Sequence, residues 1–344
     1  MTAAAEETRA PLPQDAQAFD VFNGDADGIC ALHQLRLAQP LDAVLVTGVK
    51  RDIALVERVP RRAGIDVSVF DVSLDTNHAA LVALLDAGAH VRYYDHHSAR
   101  KAFAHPGLRL YWDDAPDVCT SLIVDRELSG RFRRWAIVAA FGDNLEVRAR
   151  ALAVEGGCRP DEIDAFELLG RVLNYNAYGE TVGDLHVAPD RLYRELHPYE
   201  EPLEFVRRSP CYAALADGYR EDVARIEAIA PYRTFDGGAI YLLPDACWAR
   251  RISGVLANRL AAAEPDRSFA VLTECPGGRY TVSVRSADPE GHPANLLCER
   301  FASGGGRRGA GGINGLPADE RETFFEAFLS YFTRAGDPTY RRPV

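Results

Sequence analysis

Asp25-Ala26-Asp27-Gly28, Asp71, Asp95-His96-His97 and Asp143 are the residues whose types and spacing could do chemistry in this chain. Carboxylates joined by a few imidazoles are hard to borderline ligands, suited to Mn²⁺ or Mg²⁺ more than to a structural zinc, which usually takes thiolates. Two such ions, about 3.5–4 Å apart, activate a water and steady both the attacking and the leaving oxygen of a phosphoryl group. A centre of that kind needs one carboxylate to bridge the ions, and Asp71, alone near the end of an apolar run, is placed for it. Each piece also has a plainer reading. Asp25 or Asp27 would serve as a helix N-cap, Asp95 as a partner for turn amides, and the adjacent histidines as surface residues. Taken together, clusters at successive strand ends and one helix end share no packing purpose.

A second set lies nearer the C-terminus. In Gly304-Gly305-Gly306-Arg307-Arg308-Gly309-Ala310-Gly311-Gly312 the glycines let backbone amides approach an anion without Cβ obstruction, and the two arginines add charge. Arg285, within Ser283-Val284-Arg285-Ser286, could face the same pocket. The plainer readings are a surface hairpin and a surface cation. A basic pocket on one domain and an acidic metal centre on the other suit a phosphodiester.

These residues need elements to position them. From Phe19 onward short apolar runs alternate with helix-length amphipathic segments: FDVF (19–22), a helix over about 28–39, DAVLVTG (42–48), a helical stretch near 52–59, DVSVFDV (66–72), a helix near 75–87 and HVRYYD (90–95). That alternation predicts a parallel sheet covered by helices on both faces, in which ligands bind beyond the carboxyl ends of the strands. Asp143 follows a helix-like AIVAAFG (136–142). Residues 150–230 read as largely helical. A second alternation from Arg233 to Val284, with Gly277-Gly278 as a turn, predicts a smaller α/β domain closed by a helix near 317–334. The expected organisation is a disordered leader over 1–16, an α/β domain over 17–150, a helical connector over 151–231 and a second α/β domain over 232–335.

At 344 residues the chain exceeds the usual size of one domain. Seven cysteines without a C-x-x-C pair suggest neither a disulfide framework nor a zinc ribbon. A net charge of −11 argues against a broad footprint for duplex DNA, whose affinity comes largely from phosphate neutralisation. Only Lys50 and Lys101 are lysines, so the positive charge is almost all arginine, suited to bidentate phosphate contacts or simply the product of a coding bias. No apolar run has a membrane span's length and the N-terminus lacks a signal-peptide core, so a soluble, cytoplasmic protein is expected.

In their order along the chain, these motifs resemble those of the DHH phosphoesterase superfamily and its companion DHHA1 domain. Asp25-Ala26-Asp27-Gly28 is similar to the first motif, Asp71 to the second, Asp95-His96-His97 to the namesake third and Ala140-Phe141-Gly142-Asp143 to the fourth; Ser283-Val284-Arg285-Ser286 and the glycine-rich stretch are similar to the substrate-binding motifs of DHHA1. The resemblance implies two Mn²⁺ ions, with Mg²⁺ as an alternative: Asp25 on one, Asp27, His96 and Asp143 on the other, and Asp71 on both. It gives His97 the scissile phosphate, Asp95 the orientation of the histidines, and Arg285, Ser286, Gly304, Gly305, Gly306, Arg307 and Arg308 the far end of the substrate. The implied activity is hydrolysis of short oligonucleotides or linear dinucleotides to mononucleotides. A RecJ-like single-strand exonuclease and a nucleotide-binding module with a decayed metal site are the alternatives. Two departures bear on the choice. Val21 stands where many members carry a histidine, with Asn23 where RecJ-type exonucleases have an extra aspartate, leaving Asn23 or water to complete the first ion's shell; and Arg307 replaces a loop histidine.

Overall fold

The computed structural model describes residues 12–13, 15–97 and 99–333. Of the expected leader, residues 1–11 and 14 lie outside these. The chain divides into two compact units, Met1–Gly218 and Tyr219–Val344.

In the first unit the strands are β1 (Ala18–Phe22), β2 (Val44–Val46), β3 (Asp66–Phe70), β4 (His90–Asp95) and β5 (Leu108–Trp112), in the parallel order β2-β1-β3-β4-β5. Alternation along β1 sets its two faces. Phe19 and Val21 join an apolar core with Leu81, Leu84 and Leu85 of α2 (Leu74–Asp86). Asp20 instead meets Arg36 of α1 (Ala26–Ala38), where the guanidinium Nε lies 2.8 Å from Asp20 Oδ2 in a buried pair. The sheet is therefore covered on both faces, as the alternation predicts. The chain leaves β1 toward β2 on one side and returns to β3 on the other, so the order reverses between β1 and β3. This is the position where open parallel sheets take ligands. The segments after β1 and β3 carry Asp25, Asp27 and Asp71.

Two expectations need correction. The helical stretch near 52–59 is a single 3₁₀ turn, Val56–Arg58, which Pro60 prevents from extending. The sheet also has a fifth strand, β5, whose alternating LRLYW pairs with β4 at the edge.

Beyond the sheet come α3 (Thr120–Glu127), α4 (Arg133–Gly142), α5 (Glu146–Glu155), α6 (Pro160–Asn176), α7 (Pro189–Leu196), α8 (Pro202–Arg208) and α9 (Pro210–Ala224). Helices α3, α4 and α6 pack against α1. The region expected as a connector is thus split, its part through Gly218 belonging to the first unit. Close approach of α4 to α1 and α6 depends on two glycines. A Cβ on Gly142 would stand 2.4 Å from Ala26 Cβ, and one on Gly170 would stand 2.2 Å from the Val138 carbonyl oxygen.

The second unit holds β6 (Arg233–Phe235), β7 (Gly238–Leu243), α10 (Cys247–Ala263), β8 (Ser268–Cys275), β9 (Arg279–Arg285), α11 (Ala294–Cys298), β10 (Gly304–Gly306), β11 (Ala310–Pro317) and α12 (Arg321–Phe332). Its sheet runs β10-β11-β9-β8-β7-β6, mixed because α10 returns β8 parallel to β7 while the hairpins are antiparallel. Phe324, Phe325, Phe328 and Phe332 of α12 close its core over Val282, Val284, Ile313 and Leu316.

Candidate metal centre

The turn after β1 begins α1, and Asp25 is its N-cap: Oδ1 accepts the amides of Asp27 (3.0 Å) and Gly28 (3.1 Å). The plainer reading of Asp25 therefore holds at one oxygen. Asp27, in the first turn, is fixed by the start of α3, whose Ser121 and Thr120 amides donate to Oδ1 and Oδ2, both at 2.7 Å. Asp71 follows β3 with φ of +58°, a left-handed conformation that costs a non-glycine residue about 1–2 kcal/mol. Its Oδ1 accepts the Thr120 hydroxyl at 3.2 Å. Asp143 caps the C-terminus of α4.

His96 Nε2 is the common point of this group, lying 3.4 Å from Asp71 Oδ1, 3.9 Å from Asp27 Oδ2 and 3.9 Å from Asp143 Oδ2. Its Nδ1 faces the Val118 carbonyl oxygen at 2.9 Å, which puts a proton on Nδ1 and leaves Nε2 as the nitrogen able to ligate. Ligand atoms sharing an ion at about 2.1 Å stand on the order of 3–3.5 Å apart, and the contacts from His96 Nε2 to the three carboxylates lie at or a little beyond that spacing. His97 joins Asp71 and His96 in a group whose ligand atoms all lie within 4.8 Å of one another. It is also held by Asp95, whose Oδ1 accepts its amide (3.1 Å) and its Nδ1 (2.7 Å), while Oδ2 accepts the Leu74 amide at 3.1 Å.

The electrostatics fit a cation. Burial, then the Asp25 and Asp27 carboxylates, push the Asp71 carboxyl well above the usual range, because these anions cannot all stay charged together without a counter-charge. Burial likewise raises Asp27 against the opposing pull of His96. Burial would lower His97, but its hydrogen bond to Asp95 outweighs that and raises it.

Asp25 differs. Burial would raise its carboxyl, yet the Lys50 ammonium bonded to Oδ2 brings it below the usual carboxylate range. Lys50 Nζ also donates to Asn174 Oδ1 at 3.0 Å and lies 5.6 Å from the centre of the Tyr178 ring. Asn23 shapes the turn: its Oδ1 accepts the Asp25 amide at 3.3 Å and its Nδ2 donates to the Lys50 carbonyl at 3.4 Å. The side chain of Val21 lies in the apolar core.

In the second unit, the glycine-rich stretch is a β-hairpin at the sheet edge. Gly304, Gly305 and Gly306 form β10, and Arg307 and Ala310 exchange backbone bonds across its turn. Arg308 reaches away from the hairpin to the Pro289 and Glu290 carbonyls and the Glu290 carboxylate. Arg285, at the end of β9, pairs with Ala310 of β11 and donates from Nε to Asn258 Oδ1 at 2.8 Å. The Ser286 hydroxyl bonds the His292 carbonyl and the Asp288 amide.

No family model matches the sequence, and no curated protein does. Solved structures do. A pGpG-specific phosphodiesterase, PggH from Vibrio cholerae, aligns over 91% of this chain and 97% of its own, with a TM-score of 0.55 at 13% identity. An exonuclease RecJ bound to manganese aligns over 95% and 93%, with a TM-score of 0.51 at 18% identity. RecJ of Thermus thermophilus in complex with Mn²⁺ aligns over 95% of this chain and 54% of that one, with a TM-score of 0.55 at 17% identity. The fold is that of the DHH phosphoesterases.

Within the DHH fold of this chain, Lys50, Thr120, Ser121 and Asn174 are contributors that the motifs do not reveal. Thr120 and Ser121 carry one readable signal, since they open a helix directly after Cys119 and so offer first-turn amides that have no partner within the helix. Lys50 carries another, as one of only two lysines in the chain.

Proposed function

We propose that this chain is a divalent-metal phosphodiesterase that cuts short oligonucleotides or linear dinucleotides to mononucleotides, using Mn²⁺ or Mg²⁺ held by Asp27, Asp71, His96 and Asp143. The observation that carries the reading is the convergence of Asp27, Asp71 and Asp143 within 3.4–3.9 Å of His96 Nε2 at the switch point of a parallel sheet. A divalent ion there supplies Lewis acidity and a water of lowered pKa. The chain's own residues do the rest. Asp95 keeps His97 oriented and favours its protonated form, in which the other ring nitrogen can donate to a phosphate oxygen of the substrate. The Thr120 and Ser121 amides hold the Asp27 carboxylate in one orientation, so little reorganisation is needed on binding. Arg285, Ser286, Gly304, Gly305, Gly306, Arg307 and Arg308 grip the distal nucleotide in this reading, as the motif resemblance implies.

The likeness to a pGpG-specific phosphodiesterase over nearly the whole of both chains supports a short substrate. The likeness to manganese-bound RecJ supports the metal and keeps a single-strand exonuclease as the competing reading. A hydrolysis panel in Mn²⁺ decides between them, comparing a linear dinucleotide, a five-residue RNA, a phosphoadenosine phosphate and long single-stranded DNA. Faster turnover of the dinucleotide or the pentamer is expected. Faster turnover of long DNA establishes the exonuclease, and bound metal without turnover of any substrate establishes a binding module.

A further inference from the structure

One half of the site is built for an ammonium group. Both oxygens of Asp25 are committed, Oδ1 to the amides that start α1 and Oδ2 to Lys50 Nζ. The ammonium is seated by more than that carboxylate, because Asn174 Oδ1 accepts a second of its hydrogens and the Tyr178 ring adds a π face. An oxygen pair with an aromatic face is a recognition set for a monovalent cation. Meanwhile Val21 is packed in the core and offers no ligand beside Asp25, and both polar atoms of the Asn23 side chain are already bonded to backbone. On the other side of Asp71, Asp27, His96 and Asp143 remain grouped.

Resting on the metal-dependent reading above, we propose that the centre holds one divalent ion and that the Lys50 ammonium takes the place of the second. A lysine suits the task better than an arginine, since it is a compact point charge with three donors, where a guanidinium is a flat fork too wide for a single-ion position. Lys50 sits here in a chain that otherwise uses arginine almost throughout. The fixed charge would pull on the Asp25 side of the bound phosphate without exchanging with solvent, and a divalent ion entering beside it would be repelled.

The test is the count of Mn²⁺ bound to the full chain, read by calorimetric titration of metal-free protein and by electron paramagnetic resonance of the loaded protein. Wild type is expected to bind a single ion with the spectrum of isolated Mn²⁺, and Lys50→Met to bind a second ion whose coupling to the first broadens the spectrum. Two coupled ions in wild type would overturn this inference and leave the phosphodiesterase reading standing, whereas no bound ion would overturn both. A folded Lys50→Met variant that still takes a single ion would also overturn it. Should that variant fail to fold, Asp25→Asn gives the second measurement: an Mn²⁺ affinity loss of no more than about a hundredfold, the range of an outer-shell partner, supports the inference, and a larger loss makes Asp25 a ligand and refutes it.

Discussion

Asp71 is the residue on which the proposed chemistry bears most. It is held in a left-handed backbone conformation, buried among carboxylates and bonded by the Thr120 hydroxyl. Strain of that kind persists only where the surroundings enforce it, and its usual place is a functional site. Asp71→Asn removes one anion from a crowded group and keeps the shape. It is expected to unfold at no lower urea concentration than wild type while losing at least about a hundredfold in phosphodiester hydrolysis, roughly 2.7 kcal/mol of barrier stabilisation. A variant retaining more than a tenth of the rate (about 1.4 kcal/mol) would remove Asp71 from the ion's shell. His33 gives a second residue-level expectation away from the metal group. It is fully buried, 2.9 Å from the Tyr199 carbonyl oxygen and edge-on to Trp135, and burial pushes its pKa down to about 3, with His197 acting in the same direction. Its unfolded pKa is about 6.5, so between these values the unfolded chain holds the extra proton and stability falls as pH drops. The urea-derived stability difference between pH 7 and pH 5 should be about 2 kcal/mol larger in wild type than in His33→Gln. Equal differences would mean that His33 protonates without cost.

At the scale of elements, the site is assembled by the close packing of three helices around the first strand end. Asp143 reaches His96 because Gly142 lets α4 lie against Ala26 of α1, and Gly170 lets α6 lie against α4. Gly170→Ala places a methyl against a backbone oxygen that cannot move alone. The expected cost is about 1–3 kcal/mol in urea unfolding, together with weaker Mn²⁺ binding as α4 shifts. Unchanged unfolding and unchanged binding would show that α6 has no part in placing Asp143. This dependence also explains what the sequence revealed. Asp25, Asp27, Asp71, Asp95, His96 and His97 are legible because they lie at or just past the ends of β1, β3 and β4, and a parallel sheet brings strand ends together by rule. Thr120, Ser121 and Asn174 are not, because they reach the site through helix packing, and Lys50, in the turn after β2, is not because its residue type has many ordinary roles. The edge strand β5 was missed since LRLYW is short and only half-buried, and the expected helix near 52–59 shrank to one turn before Pro60. Arg285→Ala belongs to this scale as well, since β9 carries that arginine with its Nε bonded to Asn258. If Arg285 binds a substrate phosphate as proposed, loss of that charged hydrogen bond, about 1.5–3 kcal/mol, should lower kcat/KM on a dinucleotide by roughly tenfold to a hundredfold. A small chromogenic phosphodiester should be unaffected; equal damage to both substrates would assign Arg285 to folding or to the chemical step.

For the whole molecule, the net charge of −11 sets the terms of nucleic-acid binding. A chain this acidic repels a long polyanion except where a local pocket overrides the field. A substrate met at one or two phosphates has a shallow salt dependence, about threefold to sevenfold in KM between 50 and 200 mM salt, whereas a strand tracked along five or more phosphates would lose about a hundredfold. The shallow slope is expected here. All these expectations share one premise, that the acidic group at the switch point works by holding a divalent ion. The most direct test is hydrolysis of a linear dinucleotide by protein stripped with a chelator, dialysed and then resupplied with Mn²⁺. The account predicts no turnover in the stripped protein and recovery with Mn²⁺ in wild type but not in Asp71→Asn; turnover that persists without metal, or that Mn²⁺ restores equally in Asp71→Asn, would contradict it.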